Sequence, residues 1–270
     1  MAFKDPLGDR MKNNYENRAK MYLTRRTPVI IRIDGNAFHT FTRGFTRPYD
    51  TVFHNAMNAT LEHLCKNIQG CKFGYTQSDE ITLLLTDYDK LTTDAWFNYS
   101  VQKMCSIAAS MATVAFNRAF LEECSQWSNT SFFDGAEFKD LTEKEKTLLD
   151  AYSKAAEKGA MFDARCFNIP EDEVANNFIQ RQNDATRNAI QMLGQTHFSH
   201  SQLDGKSQSD VQDMLMNERH INFNDMPVEF KRGVCCYRGE DGKWVLDKSC
   251  PIISQDRAYV EKHVFTKQYK

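Results

Sequence analysis

Two aspartates, Asp34 and Asp79, carry the most chemical potential in this chain. Asp34 closes an apolar run, Val29-Ile30-Ile31-Arg32-Ile33, and is followed by Gly35. Asp79 lies in Gln77-Ser78-Asp79, a short connection between two β-like runs. Carboxylates brought close together repel unless a cation joins them. The hard cation that links carboxylates to phosphate substrates is Mg²⁺, and a pair of such ions can align a triphosphate and activate an attacking hydroxyl. Asp is also common in turns, and the same two positions read as plain turn residues.

The neighbours extend the phosphate reading. Gly35 lets the backbone turn, so that Asn36-Ala37-Phe38-His39 can present amide hydrogens to a phosphate. Phe38 and His39 also fit a core aromatic and a satisfied histidine. Arg43 and Arg47 could contact triphosphate or RNA phosphate, or stand solvated as lone arginines. Farther on, Arg181, Asp184, Asn188 and Gln191 fall into one polar helical stripe opposite Val174, Phe178, Ala185, Ala189 and Leu193. Such a stripe is a helix's wet side; its amides and arginine lean toward a binding surface. The chain has no G-x-x-x-x-G-K-[ST] phosphate loop.

The elements that must position these residues follow from periodicity. A charged segment, Asp9 to Arg26, reads as a surface helix. Val29 to Ile33 is a buried strand, and Thr51 to Ile68 repeats its apolar residues with a helical period. Cys71 to Thr76 and Glu80 to Thr86 form a hairpin, Tyr99 to Cys124 a second helix, and Phe162 to Ile169 a fourth strand closed by Pro170. This is the β-α-β-β-α-β order of a ferredoxin-like split βαβ fold, in which the first and third strands are neighbours. That order brings Asp34 and Asp79 to one edge. Trp127 to Ala160, with a helix at Glu143 to Lys158, reads as a solvated insertion rich in Lys and Glu. Beyond Pro170 come a helix to Leu193, another at Ser209 to Asn217, and a hairpin of Val234 to Arg238 with Trp244 to Asp247. The expected class is α+β: a catalytic domain over 1–170, then a helical part with a small hairpin over 171–270, packed on it and not independent.

Composition narrows the classes. The 270 residues are 41% hydrophobic and 26% charged, with 12 Gly and 6 Pro, which leaves little room for a long linker. No apolar stretch is read as long enough for a membrane helix, and the start lacks a secretory core, so a cytoplasmic chain without membrane contact is expected. The eight cysteines show no C-x-x-C pairing and read as free, mostly buried thiols. A net charge of -2 gives no global pull toward nucleic acid, so an RNA substrate has to be argued from motifs.

Those motifs resemble a known family. Ile31-Arg32-Ile33-Asp34-Gly35-Asn36-Ala37-Phe38-His39 resembles the R-[LI]-D-G-x-x-F-H segment of tRNA(His) guanylyltransferases, and Gly74 to Glu80 resembles their G-x-x-Q-S-D-E segment. Phe162-Asp163-Ala164-Arg165, Arg181 to Ala185, and Ile221 to Asp225 with Lys231-Arg232-Gly233 continue the likeness in order. The resemblance implies a polymerase-like palm, a tetramer, and two Mg²⁺ held by Asp34, Asp79 and the Gly35 carbonyl. It implies that Asp34 to His39, with Ser78 and Asp79, hold a nucleoside triphosphate. It also implies a reaction in which ATP activates a 5′-monophosphorylated tRNA and the 3′-hydroxyl of GTP then attacks, giving 3′–5′ growth. Arg32 and Asp50, within matching segments, join Arg43, Arg47, Arg181 and Asn188 as possible phosphate or RNA contacts.

The departures matter as much. Where eukaryotic members have K-P-x-D, this chain has Arg47-Pro48-Tyr49-Asp50, which keeps the charge but not the point-like geometry. Of the eukaryotic H-I-N-N signature only Asn188 matches. The pattern is closer to the guanylyltransferase-like proteins of bacteria and archaea, which resemble 5′-end repair enzymes. Tip and tail fall outside the likeness, and the insertion has no counterpart in it. The expected function is thus 5′ nucleotide addition to tRNA, as repair or tRNA(His) maturation. The alternatives are a palm-type nucleotide cyclase, which needs no RNA, and a non-catalytic RNA-binding module.

Overall fold

The computed structural model describes residues 5–133 and 141–264, without the side chains of 129–133. Its β-branched and aromatic runs form six strands: β1 (Val29–Gly35), β2 (Cys71–Gln77), β3 (Glu80–Leu85), β4 (Phe162–Asn168), β5 (Val234–Arg238) and β6 (Trp244–Asp247). They make one antiparallel sheet in the order β4-β1-β3-β2-β5-β6. The first four strands stand in the split βαβ order. The C-terminal hairpin adds to the edge of β2, so one sheet runs through both parts of the chain.

The helices are α1 (Pro6–Asn14), α2 (Phe38–Phe41), α3 (Thr51–Asn67), α4 (Val101–Phe133), α5 (Glu143–Lys158), α6 (Val174–His197), α7 (His200–Leu203), α8 (Gln208–Arg219), α9 (Val228–Arg232) and α10 (Ala258–Glu261). They cover the sheet on both sides, which is why β1 needs apolar residues at consecutive positions. Val29, Ile31 and Ile33 pack with Leu61 and Leu64 of α3 and Met104, Ala108 and Phe116 of α4. Ile30 faces the other way, with Phe73, Tyr75, Leu84, Val174 and Phe178 and the C-terminal Ile253, Tyr259 and Val260. Arg32 and Asp34 follow Ile30 by alternation, so both side chains belong to the α6 side of the sheet.

Three expectations from sequence need correction. The N-terminal helix is only Pro6–Asn14, capped by the Asp5 carboxylate on Gly8 N at 2.9 Å. A short 3-10 turn, Glu16–Ala19, follows, and the chain is then drawn out along the body, where Leu23 N donates to Tyr99 O and Val101 N to Met21 O, both at 3.0 Å. Second, α4 runs past Cys124, and its Val101–Ser128 stretch is long and apolar enough to cross a membrane by length and composition, contrary to the reading above. Its apolarity serves the core: Met104, Ala108, Ala112, Phe116 and Phe120 are buried against the sheet. Third, the insertion is not merely solvated. A Thr142–Glu145 capping box starts α5, and Tyr152 and Ala155 are buried in the main core. The stretch 134–140 of that insertion lies outside the described residues.

Close approach of α3 to β2 depends on Gly74. A Cβ there would meet Cys65 Sγ at 2.5 Å and Leu61 Cδ1 at 2.7 Å. Gly74→Ala should therefore destabilise the fold by about 1–3 kcal/mol through overpacking, read as a lower urea midpoint at unchanged slope. An unchanged midpoint would show that α3 can move off the sheet without cost.

Candidate active site

The register of three strands builds a row of acids. Asp34 on β1 pairs with Glu80 on β3 and with Asp163 on β4. Directly opposed residues project from the same face, so the three carboxylates stand abreast. Behind them Arg32 pairs with Thr82 and with Arg165, which makes a second, basic row.

Neutralisation between the rows is uneven. Arg32 Nη2 donates to Glu80 Oε2 at 2.5 Å, and Arg181 Nη1, from α6, donates to Glu80 Oε1 and Oε2 at 3.2 and 3.1 Å. Arg181 Nη2 also donates to Asp184 Oδ2 at 2.7 Å, and Arg187 Nη1 lies 3.1 Å from Asp184 Oδ1. The Glu80 and Arg181 side chains are only 12% and 10% exposed, so this pairing acts in a poorly screened setting. Among the described residues Asp34 pairs only with Arg165, at 3.8 Å, and that half-exposed guanidinium is shared with Asp163 at 3.2 Å. Surface pairing of this kind is weak.

Asp79 completes the acidic end. The hairpin turn holds Ser78 at φ 50, and the Asp79 carbonyl accepts from Gly35 N at 3.1 Å, which ties the turn to the end of β1. Burial pushes the Asp79 carboxyl above its usual range, and the charge of Asp34 adds to the shift. Hydrogen bonds from Ser78 and its own backbone offset only part of that shift, so negative charge short of cations is concentrated at Asp34 and Asp79, where a hard cation would relieve it. Among the described residues no three His, Cys, Asp or Glu side chains are grouped to enclose a metal. Two carboxylates with a main-chain carbonyl suit Mg²⁺, which takes its remaining oxygens from water and phosphate.

After β1 the chain turns through Ala37 at φ 56 into α2. Gly35 is required by packing: a Cβ would sit 2.3 Å from Phe38 Cδ2. Phe38 is a core aromatic, with ring centroids of Phe41, Phe53, Phe116 and Phe162 between 5.1 and 5.9 Å away. His39 is exposed, its Nε2 3.1 Å from the Thr40 hydroxyl. Asn36 N donates to Met161 O at 2.8 Å and Gly35 N to Asp79, so those two amides are used within the protein. Among the described residues the amides of Ala37, Phe38 and His39 donate to no group outside their own turn, leaving them for an anion.

A cavity of about 470 Å³ opens beside this turn. Gly35, Ala37, Phe38, His39, Ser78, Asp79, Arg47, Asp50 and Asn188, all singled out from sequence, contribute to its lining. Asp34, Asn36 and Arg43 are next to lining residues in the chain without lining it themselves. Arg43 and Arg47 are exposed and pair with no carboxylate among the described residues.

Three of the possible phosphate or RNA contacts have partners within the protein. Arg32 and Arg181 both pair with Glu80. Asp50 is 5% exposed and accepts from Phe53 N and Thr46 N, each at 2.9 Å, and from Tyr152 Oη at 2.8 Å. Its work is to cap α3 and hold the strap before it.

Sequence reasoning missed part of the cavity wall. His54 and Glu229 line it, and His54 stacks on Tyr49 with centroids 4.0 Å apart. Burial, then the charge of Lys248, pushes the imidazole down to about 4, so it is neutral at pH 7. Lys248 Nζ lies 3.4 Å from Glu229 Oε2. Nothing in the local sequence joins residues so far apart; the one signal that could have found His54 is its place beside the apolar face of α3, next to Phe53.

Comparisons with known proteins agree with this geometry. The family model described as tRNAHis guanylyltransferase matches residues 8–170. A bacterial tRNA(His) guanylyltransferase-like protein in complex with ATP superposes with a TM-score of 0.79 at 43% identity, over 96% of this chain and 99% of that one. A bacterial guanylyltransferase-like protein in complex with GTP gives a TM-score of 0.75 at 39% identity, over 97% and 100%. An uncharacterised protein of Acanthamoeba polyphaga mimivirus, R259, is 30% identical over 240 residues, 85% of this chain and 76% of its own. With its family match covering more than half the chain and an acidic site to suit, the protein belongs to the tRNA(His) guanylyltransferase family of nucleotidyltransferases.

Proposed function

We propose that the protein adds nucleotides to the 5′ end of tRNA in the 3′–5′ direction, as 5′-end repair or tRNA(His) maturation in the cytoplasm. The observation that carries this reading is the weakly neutralised Asp34–Asp79 pair beside a cavity whose wall, among the described residues, offers amides without an internal acceptor and an Arg47 that pairs with no carboxylate. Negative charge left uncompensated next to anion donors suits a cation-bridged triphosphate. An RNA-only surface would gain nothing from it. The bacterial relatives bound to ATP and GTP support the same two nucleotides here, ATP to activate a 5′-monophosphate and GTP to be added.

In this reading Asp34, Asp79 and the Gly35 carbonyl would hold divalent cations, two by family resemblance. When bound, Mg²⁺ neutralises the carboxylates and stabilises the charge that develops on the reacting phosphate. The chain's own groups do the rest. The amides of Ala37, Phe38 and His39 receive the triphosphate, Arg47 reaches it from the strap, and Asn188 lines the opposite wall. Glu80, clamped by Arg32 and Arg181, keeps the hairpin from moving as charge is transferred.

A homotetramer belongs to the same proposal. Ile107, Val114 and Leu121 recur every seventh residue along α4 and are 39%, 59% and 52% exposed. An apolar line at that spacing on one side of a long helix suits packing against another helix.

Three tests follow from these roles. Asp34→Ala and Asp79→Ala should each lower addition to 5′-truncated tRNA, with Mg²⁺, ATP and labelled GTP, by at least about a thousandfold while the chain stays folded. Extension that halts when the acceptor stem is paired marks repair, and a single addition to tRNA(His) alone marks maturation. Activity in both variants would sink the metal assignment, and a cyclic product without RNA would replace the reading by a cyclase.

The raised Asp79 pKa fixes a sign. A carboxyl whose folded pKa lies above its unfolded one costs stability once pH rises through both values. In chelator at neutral pH, Asp79→Asn should therefore melt above wild type. The gain in melting temperature that Mg²⁺ gives wild type should shrink as pH falls through the raised pKa and be largely missing in the variant. A Mg²⁺ effect equal in both proteins, or flat with pH, would contradict the role of Asp79.

For assembly, Val114→Glu should reduce the mass measured by light scattering, with melting temperature within about 2 °C because the position is already exposed. An unchanged tetramer would exclude the α4 line as an interface.

A further inference from the structure

Helix α5 enters the chain between α4 and β4, and one of its side chains packs behind the cavity wall, on Phe45 and Asp50. Tyr152 is 3% exposed. Its ring lies edge-on to Phe45 at 4.9 Å and to Trp127 at 5.5 Å, and its hydroxyl donates to Asp50 Oδ2 at 2.8 Å. The same oxygen accepts from Thr46 N, and Asp50 Oδ1 accepts from Phe53 N at the start of α3. One buried carboxylate thus ties three segments: the inserted helix, the first turn of α3, and the strap from Phe45 to Asp50.

That strap is a side of the cavity. Phe45, Thr46, Arg47, Pro48 and Asp50 all line it, and Arg47 is its exposed cation. Burial, then the adjacent Asp50 charge, holds the Tyr152 phenol far above its usual range, so it remains a donor at any working pH. Without that donor Asp50 would keep only backbone amides on a buried charge, and buried carboxylates move or neutralise when a partner is lost. The strap that carries Arg47 is thus joined to α5 through the hydroxyl and Asp50 Oδ2.

We propose that Tyr152 is a positioning residue for nucleotide binding: through Asp50, the inserted helix fixes the strap so that Arg47 stands where a triphosphate can meet it. The proposal rests on the nucleotidyltransferase reading and deepens it by giving the insertion a part in substrate binding. Tyr152→Phe keeps the ring and removes only the hydroxyl, which separates positioning from packing.

The test is a double-mutant cycle on the full chain. GTP binding in Mg²⁺ is titrated by calorimetry for wild type, Tyr152→Phe, Arg47→Ala and the double variant, with ATP titrated into wild type. Tyr152→Phe should weaken GTP binding by about tenfold in the wild-type background and by less than about twofold once Arg47 is gone. Loss of stability alone is controlled by Val260→Ala, a core truncation in the C-terminal cluster that does not line the cavity. It should lower the melting temperature at least as much as Tyr152→Phe and leave the GTP affinity unchanged. Equal weakening by Tyr152→Phe in both Arg47 backgrounds, no weakening at all, or the same weakening by Val260→Ala would each overturn the proposal. Failure of wild type to bind either GTP or ATP would instead remove the nucleotidyltransferase reading on which it stands.

Discussion

The register between β1 and β3 is the constraint on which the site depends. It pairs Asp34 with Glu80 and leaves Asp79 one step beyond, in a turn whose carbonyl is fastened to Gly35 N. A slip of one residue would send Asp34 and Arg32 to the α3–α4 side and turn Ile31 and Ile33 out of the core. The apolar cost of that slip, several large side chains at roughly 1.5–3 kcal/mol each, keeps the carboxylates in place against their own repulsion. Hydrophobic burial on one face thus holds together charges that electrostatics on the other face would separate.

How those charges are treated separates scaffold from site. Glu80 is satisfied by two guanidiniums, one from its own sheet and one from α6, and is nearly buried. Among the described residues Asp34 pairs with a shared surface arginine alone, and Asp79 has hydrogen bonds from Ser78 and its own backbone but no cation, with burial raising its pKa. The protein had the means to neutralise all of them, since Arg165 stands beside Asp34 and Arg187 turns instead to Asp184. Leaving two acids short of partners lowers stability and favours any cation that brings phosphate with it, the trade-off expected of an active site.

Much of this was legible in residues 29–86, where strand, helix and hairpin each carry a strong period and the two aspartates sit at their ends. Asp50 was legible too, though it was read as a ligand contact: an Asp directly before an apolar-periodic run is a helix cap by the ordinary signal. Phe38 could be read either way, and the packing of four rings around it decides for the core. The Arg181–Glu80 and Tyr152–Asp50 bonds join residues about a hundred positions apart, so no local pattern announces them. The polar stripe of α6 misled for the same reason. Its arginine looked solvent-facing because the acid that buries it lies on a distant strand. The insertion read as solvated because its many Lys and Glu outnumber the one tyrosine that decides where it packs.

That tyrosine bears on how the family's architecture tolerates change. Where eukaryotic members carry K-P-x-D, this chain offers Arg47-Pro48-Tyr49-Asp50, and a guanidinium gives a phosphate two parallel hydrogen bonds only when its plane is aligned with it. A lysine finds its phosphate as a point charge and forgives a mobile backbone. A planar fork needs a strap that does not drift. Asp50 supplies that stiffness by joining the strap to α3, and Tyr152 supplies Asp50 with the donor that makes a buried carboxylate affordable. The arginine and the inserted helix are then linked parts of one design, since the stricter geometry of the one gives the other something to hold.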